Sequence, residues 1–407
     1  MKNYILNEGY PNTKIFFEKA YKDKIYEKKK IFIDLSNCAG SILLGHNYSY
    51  FNKSIKDYVN KKISNFAHPN IHASNFSKTI KQIFPNFNDL IYCNSGTEAV
   101  LKSLRVCRAI SKKKLIVSVS GSWHGSVDDL LFSPGKNLKP NPLSAGLPDN
   151  FKKKLYFIPY GNVEESKKIL EKIKKNINCL IIEPVQASLP SSNPRKYLKF
   201  LENYCKKNNI ILIFDEIISG IRSKKYSVQK NYNLKPDITI IGKVFGGGLP
   251  IGMIGLTKKI KNMLTKKNKK VFFGGTFSGN SLSTYVGNKI ICYILKNKNI
   301  IEEINKKSQY FQNNLNNFIL KNNLDIKVYR YSSIIRIVFT NKKIQNRIQR
   351  DFFENKVSKK INFLRKYLLD NGIYYPSSGI IFFSFSTTYK SINHVINTLK
   401  KGFIKYF

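Results

Sequence analysis

The chain has 407 residues, 42% of them hydrophobic, and a formal net charge of +45. That length supports a large buried core and more than one domain, and no run of about 18 apolar residues marks a membrane span. So high a charge invites nucleic acid or an anionic surface as partner, but the basic residues spread over nearly every helix face, as at Lys167, Lys168, Lys172, Lys174 and Lys175. With no nucleic-acid-binding motif beside them, neither nucleic acid nor membrane is expected as partner. The six cysteines form no CxxC pair, and Met1-Lys2-Asn3-Tyr4 does not open a signal peptide. Free thiols and a cytoplasmic location are the expectation.

In chain order, the pattern predicts a strand at 90–94, a helix at 96–110, a strand at 115–120 and a helix at 163–176. A strand at 179–185, a helix at 194–208 and strands at 210–217, 237–243 and 251–256 follow. Apolar, β-branched runs alternating with amphipathic helices predict an α/β fold with a mostly parallel sheet covered on both faces. Beyond Ser281 the pattern changes: helices at 282–295 and 300–320, strands at 326–330 and 334–339, a helix at 351–369, a hairpin-like pair at 373–375 and 380–385, and a helix at 392–400. This reads as a smaller α+β domain. The expected division is an N-terminal segment (1–50) joining the small domain, a large domain (51–285) and the small C-terminal domain (286–407). The tract Lys266-Lys267-Asn268-Lys269-Lys270 reads as a solvated loop.

Four segments fall at predicted strand ends, where open parallel sheets bind ligands. Asn94-Ser95-Gly96-Thr97-Glu98-Ala99 opens a helix whose free N–H groups suit a phosphate; a plain capping box is the alternative. Gly121-Ser122-Trp123-His124-Gly125 carries the only tryptophan, which can stack on a planar ring or simply fill the core at a tight turn. Asp215 ends an apolar run and pays a desolvation cost unless a cation pairs with it; a protonated pyridine nitrogen would be such a partner, and a salt bridge to Arg222 or a helix cap is the alternative. Lys243 ends a buried strand ahead of Gly246-Gly247-Gly248, so its amine should be depressed in pKa and nucleophilic toward aldehydes. Together these supply what pyridoxal 5′-phosphate (PLP) requires: a lysine, an acid, a phosphate cup and a ring-stacking group.

The motifs NSGTEA (94–99), FDEIISGIR (214–222), PDITIIGKVFGGGLPIG (236–252) and GTFSGN (275–280) resemble the aminotransferase class III family of fold-type I PLP enzymes. Leu44-Gly45-His46 and Glu183-Pro184-Val185-Gln186 are similar to two further family segments, so the resemblance runs from about residue 31 to the C-terminus. It implies a seven-stranded mixed sheet, Lys243 as the Schiff-base lysine and Asp215 on the pyridinium nitrogen. It also implies Gly96 and Thr97 at the phosphate, Trp123 and Ile217 on the two ring faces, and Gln186 near the 3-hydroxyl. Thr276 would reach the phosphate of a neighbouring subunit, which makes a homodimer with shared sites the expected assembly. The partners expected are a small-molecule amino donor and a carbonyl acceptor.

Within the family, SGTEA, WHG and GKVFGGGLP are most similar to the glutamate-1-semialdehyde 2,1-aminomutase branch. That branch has an arginine where this chain has the Pro11-Asn12-Thr13-Lys14 region, SWG where Cys38-Ala39-Gly40 stands, and PSxFE where Pro376-Ser377-Ser378-Gly379-Ile380 stands. After Gln186 the chain runs Ala187-Ser188-Leu189-Pro190 in place of a glycine-rich stretch. Transamination between two molecules is therefore the first expectation, intramolecular amino transfer the second, and a basic binding protein without catalysis the third.

Overall fold

The computed structural model describes residues 15–407 apart from 67, 191–192 and 267–268. The Pro11–Lys14 region and part of the Lys266–Lys270 tract, both singled out above, lie outside the described residues.

Three adjacent parallel strands consist entirely of buried residues: Ile177–Ile182, Ile211–Asp215 and Ile238–Gly242. Strands with no polar face must be covered on both sides. They form the centre of a seven-stranded sheet in the order Asp89–Cys93, Gly252–Leu256, Ile238–Gly242, Ile211–Asp215, Ile177–Ile182, Leu115–Val119, Leu155–Ile158. The pairings are parallel except those of Gly252–Leu256, which runs antiparallel to both neighbours. Alternate residues of one strand serve different layers. Ile211 and Ile213 pack with Leu104 and Cys107 of the helix Gly96–Ile110. Leu212 and Phe214 pack with Leu198 and Leu201 of the helix Arg195–Lys207. Each such fully buried side chain contributes about 1.5–3 kcal/mol.

Leu155–Ile158 has no counterpart among the strands read from the sequence. It is an edge strand of four residues, with Tyr156 facing out, too short to stand apart from its surroundings. The helix expected over 351–369 is two, Arg347–Lys356 and Ser358–Asp370, broken at Val357. The first buries Arg350 and Glu354, whereas the second buries Ile361, Leu364 and Leu368.

The expected pair at 373–375 and 380–385 is not a hairpin. Ile373–Tyr374 runs parallel to Lys30–Asp34 in one sheet, and Ile380–Phe382 pairs with Ile334–Val338 in another. The turn between them, closed by Gly379 N–H donating to the Pro376 carbonyl at 2.9 Å, carries the chain from sheet to sheet. Ile33 and Leu35 thereby enter the same core as Phe311, Leu364, Ile381 and Phe403. The early strands thus pair and pack with the C-terminal elements.

The strand Gly252–Leu256 passes so close to the start of the helix Gly96–Ile110 that a Cβ on Gly252 would lie 2.0 Å from the Ser95 carbonyl oxygen. Backbone cannot yield as a side-chain tip can. Gly252→Ala should therefore cost about 1–3 kcal/mol, read as a lowered denaturant midpoint with an unchanged slope.

Candidate active site

Five segments end or follow parallel strands on one edge of the sheet: Asn94–Thr97, Gly121–Gly125, Glu183, Asp215 and Lys243. A cavity of about 420 Å³ at this edge is lined by Gly96, Thr97, Trp123, Glu183, Asp215, Ile217 and Lys243, among others. A second cavity, of about 340 Å³, shares Trp123, Glu183, Ile218 and Lys243 with the first and continues to Arg347, Arg350 and the Pro376–Ser378 turn. The two form one cleft with an inner chamber and an outer vestibule.

At the inner end the NSGTEA segment forms the capping box. Ser95 caps the helix, its Oγ accepting from Glu98 N–H at 3.1 Å, and Glu98 reaches back to accept from Asn94 N–H at 2.7 Å. The same helix start lines the cavity. Thr97 Oγ1 accepts from Ser126 N–H at 3.3 Å, and a Cβ on Gly125 would lie 2.2 Å from that oxygen. The turn after Trp123 is thus docked on the helix N-terminus. Ile217 packs across Gly96, its Cδ1 2.5 Å from where a Cβ would stand.

Asp215 is not paired with Arg222. Its Oδ2 lies 2.8 Å from His124 Nδ1, both side chains almost fully buried, and its Oδ1 accepts from Ile217 N–H at 3.1 Å. Arg222 turns away. It donates to the carbonyls of Gly40 and Ile218 and to Ser333 Oγ, and lies 4.6 Å over the Phe382 ring. Nothing local in the sequence links His124 to Asp215, which is 91 residues away.

Lys243 has φ +50°, a left-handed conformation that costs a non-glycine residue energy unless its surroundings enforce it. Its Nζ donates to the Ala39 carbonyl at 3.0 Å. Burial lowers the amine's pKa, and the nearby charge of Arg222 lowers it further. The loop that presents Ala39 is itself tied down: Asp34 accepts from Ser36 and Asn37 N–H at 2.7 and 3.0 Å and meets His46 Nε2 at 2.8 Å.

Two expected site residues lie elsewhere. Gln186 is fully buried beneath the Gly121–Trp123 turn, its Nε2 donating to the Ser120 carbonyl at 2.8 Å and to Ser122 Oγ at 3.2 Å. It does not line the cleft. Glu183, three residues earlier, does. Thr276 is exposed and borders a separate depression with Phe273 and Gly275.

A family model for aminotransferase class-III proteins matches residues 5–400. The chain belongs to that family. The enzyme is 35% identical over 317 residues to the glutamate-1-semialdehyde 2,1-aminomutase of Wigglesworthia glossinidia brevipalpis, covering 76% of this chain and 72% of that protein. The mutase of Fusobacterium nucleatum is 30% identical over 398 residues, covering 96% and 90%. In fold it resembles a glutamate-1-semialdehyde-aminomutase from Pseudomonas aeruginosa PAO1 (TM-score 0.87, 16% identity, 98% of this chain and 89% of that one). It also resembles an omega-transaminase from Sphaerobacter thermophilus (TM-score 0.86, 19% identity, 99% and 93%). Its cofactor is pyridoxal 5′-phosphate. The cleft fits that group: an amine, a buried carboxylate and a helix N-terminus face one cavity of adequate size. Among the described residues no helix is long and apolar enough to cross a membrane.

Glu183 is buried, with its Oε2 accepting from Trp123 N–H at 2.9 Å. Burial and then the charge of Asp215 push its carboxyl up to about 8, from an ordinary 4.5. A carboxyl raised on folding favours the folded state fully below 4.5 and loses that advantage as pH climbs to 8. Glu216, raised to about 7 by burial, acts in the same direction. The cofactor-free protein should therefore lose stability between these limits, and Glu183→Gln should flatten the upper part of the slope. Urea midpoints of both proteins at several pH values test this; equal slopes would exclude Glu183 as the source.

Proposed function

We propose that the enzyme moves an amino group from a donor to a separate carbonyl acceptor through Lys243. The observation that carries this reading is the placement of Lys243 and the His124-backed Asp215 on adjacent strand ends, facing one cavity with the Gly96 helix N-terminus. When bound, PLP supplies an aldehyde that condenses with amines and a ring that takes up the electrons released at the amine-bearing carbon.

The residues then divide the work. Lys243 Nζ, its pKa lowered by burial and then by the charge of Arg222, would hold the cofactor aldehyde and would be freed when a substrate amine takes its place. Once free, Nζ carries the proton to and from the amine-bearing carbon. Asp215 holds the proton on the ring nitrogen, and His124 orients that carboxylate from behind, its Nδ1 donating to Oδ2. Gly96 and Thr97 offer N–H and hydroxyl groups to the phosphate. Trp123 and Ile217 hold the two ring faces. Thr276 contacts the phosphate in the other subunit of a homodimer, a reading supported by the exposed Phe272 and Phe277 beside it.

Transfer between two molecules is favoured by the vestibule. Intramolecular transfer passes through a diamino species, which must be retained. The charged side chains of the vestibule beyond Glu183 and Lys243 are Arg347 and Arg350, which repel ammonium groups, and the Pro376–Ser378 turn brings no acid. The names of the curated relatives favour the intramolecular reading. Glutamate-1-semialdehyde alone separates the two: little 5-aminolevulinate should form without an added amino donor, and efficient conversion would establish the mutase.

Borohydride reduction should fix the cofactor on Lys243, and Lys243→Ala should lose both the label and turnover. A label on another lysine would overturn the assignment. Asp215→Asn keeps the shape but not the charge, so turnover should fall about 10²–10³-fold or more while PLP still binds; near-normal turnover would make Asp215 structural.

A further inference from the structure

The vestibule wall opposite Trp123 is the first turn of the helix Arg347–Lys356. Three guanidinium groups gather there around two carboxylates. Arg336 pairs with Glu354 at 2.7 Å and donates to the Ser378 carbonyl. Arg350 is buried and fully engaged, binding Asp351, Glu354 and the Ser188 carbonyl. Arg347 gives its Nε to Asp351 at 3.2 Å, and among the described residues that is its only partner. Its two terminal nitrogens, the fork of the guanidinium, are left without one. With three cations and two anions, the cluster carries one uncompensated positive charge, and the half-exposed side chain holding it lines the cavity that also reaches Lys243. The charge is felt on the floor of the cleft: Lys243 and Arg347 both pull the Glu183 carboxyl down, against burial and Asp215.

We infer that Arg347 is the carboxylate-binding residue of the vestibule, and that the amino compound processed at Lys243 is an amino acid carrying that carboxylate. A free guanidinium fork matches a carboxylate with two parallel hydrogen bonds, which an ammonium cannot reproduce. Arg350 and Asp351 act as its mount: Asp351, held by Arg350, fixes the Nε edge of Arg347 and leaves the other edge to the ligand. Ile218, Ile380 and Phe382 add apolar walls to a lining that also holds Ser36, Ser188, Ser377 and Ser378, and the apolar part lowers the local dielectric around the pair. The inference rests on Lys243 being the amine-transfer centre, and it narrows the donor from amines in general to anionic ones.

Two measurements decide it. In the cofactor-free protein, Trp123 lines the cleft and is the only tryptophan, so its fluorescence reports occupancy. Butyrate should quench or shift it and butyramide should not, and Arg347→Ala should abolish the difference. In the holoenzyme, amino acids with one to three carbons between amine and carboxylate are each compared with the amine lacking the carboxylate. The best acid should exceed its amine in kcat/KM by about tenfold or more. Arg347→Ala should bring that ratio near one, mainly through KM, and Arg347→Lys, which keeps charge without the fork, should fall between. An acid-to-amine ratio near one in the native enzyme, or an unchanged ratio in Arg347→Ala, overturns the proposal. Should Arg347→Ala not fold, Arg347→Gln and Arg347→Lys give the same comparison. A protein that takes no cofactor at Lys243 would refute the proposed function, yet the tryptophan titration would still decide the role of Arg347.

Discussion

The cleft is built around a carboxyl group, that of Asp215, buried at the end of an otherwise apolar strand. An isolated charge there would be neutralised or expelled. His124 answers this at 2.8 Å, from a turn two strands away across the sheet. Much else is arranged around that contact. The turn carrying His124 also carries Trp123, whose N–H holds Glu183, and is pinned at its far side to Thr97. Moving His124 would therefore disturb Trp123, the helix start and the second acid together. Glu183 is the group that yields: burial, and then the charge of Asp215, push its carboxyl up to about 8.

Charge on this chain is otherwise diffuse. A net +45 is carried largely on lysines spread along the helices, and several ion pairs are exposed ones between neighbours three or four residues apart. The cleft uses charge differently. Its acids are buried, its lysine is held in a left-handed conformation, and its arginines are locked by each other's partners. The composition is a background and the function lies in a few exceptions to it.

Much of this was legible in the sequence. The central strands announced themselves as unbroken β-branched runs, and the glycines after Lys243 and before Thr97 marked strand ends that a ligand approaches. The residues that escaped were those whose meaning is long-range. His124 follows a tryptophan and says nothing of Asp215. Glu183 and Gln186 lie three residues apart, and only the path of the chain beyond the strand shows that the first faces the cleft and the second lies under the turn. Arg347 sits in a polar stretch indistinguishable from any solvated helix start. The false hairpin at 373–385 has the same origin: two short apolar runs around a Pro-Ser-Ser-Gly turn suggest pairing with each other, whereas both had better partners already in place.

The sheet that takes Ile373–Tyr374 beside Lys30–Asp34 has a consequence for the order of assembly. A chain emerging from the ribosome presents residues 30–46 first, among them the loop that supplies the Ala39 carbonyl to Lys243. Ile33 and Leu35 belong to a core shared with Phe383, Leu399 and Phe403, which are made some 350 residues later. Translation at about 5–20 residues per second separates the two by many seconds. During that interval the central sheet can form while the loop over the lysine has nothing to lean on. The apolar face of the early strand must be shielded for as long, and the cleft closes over Lys243 only when the final helix docks.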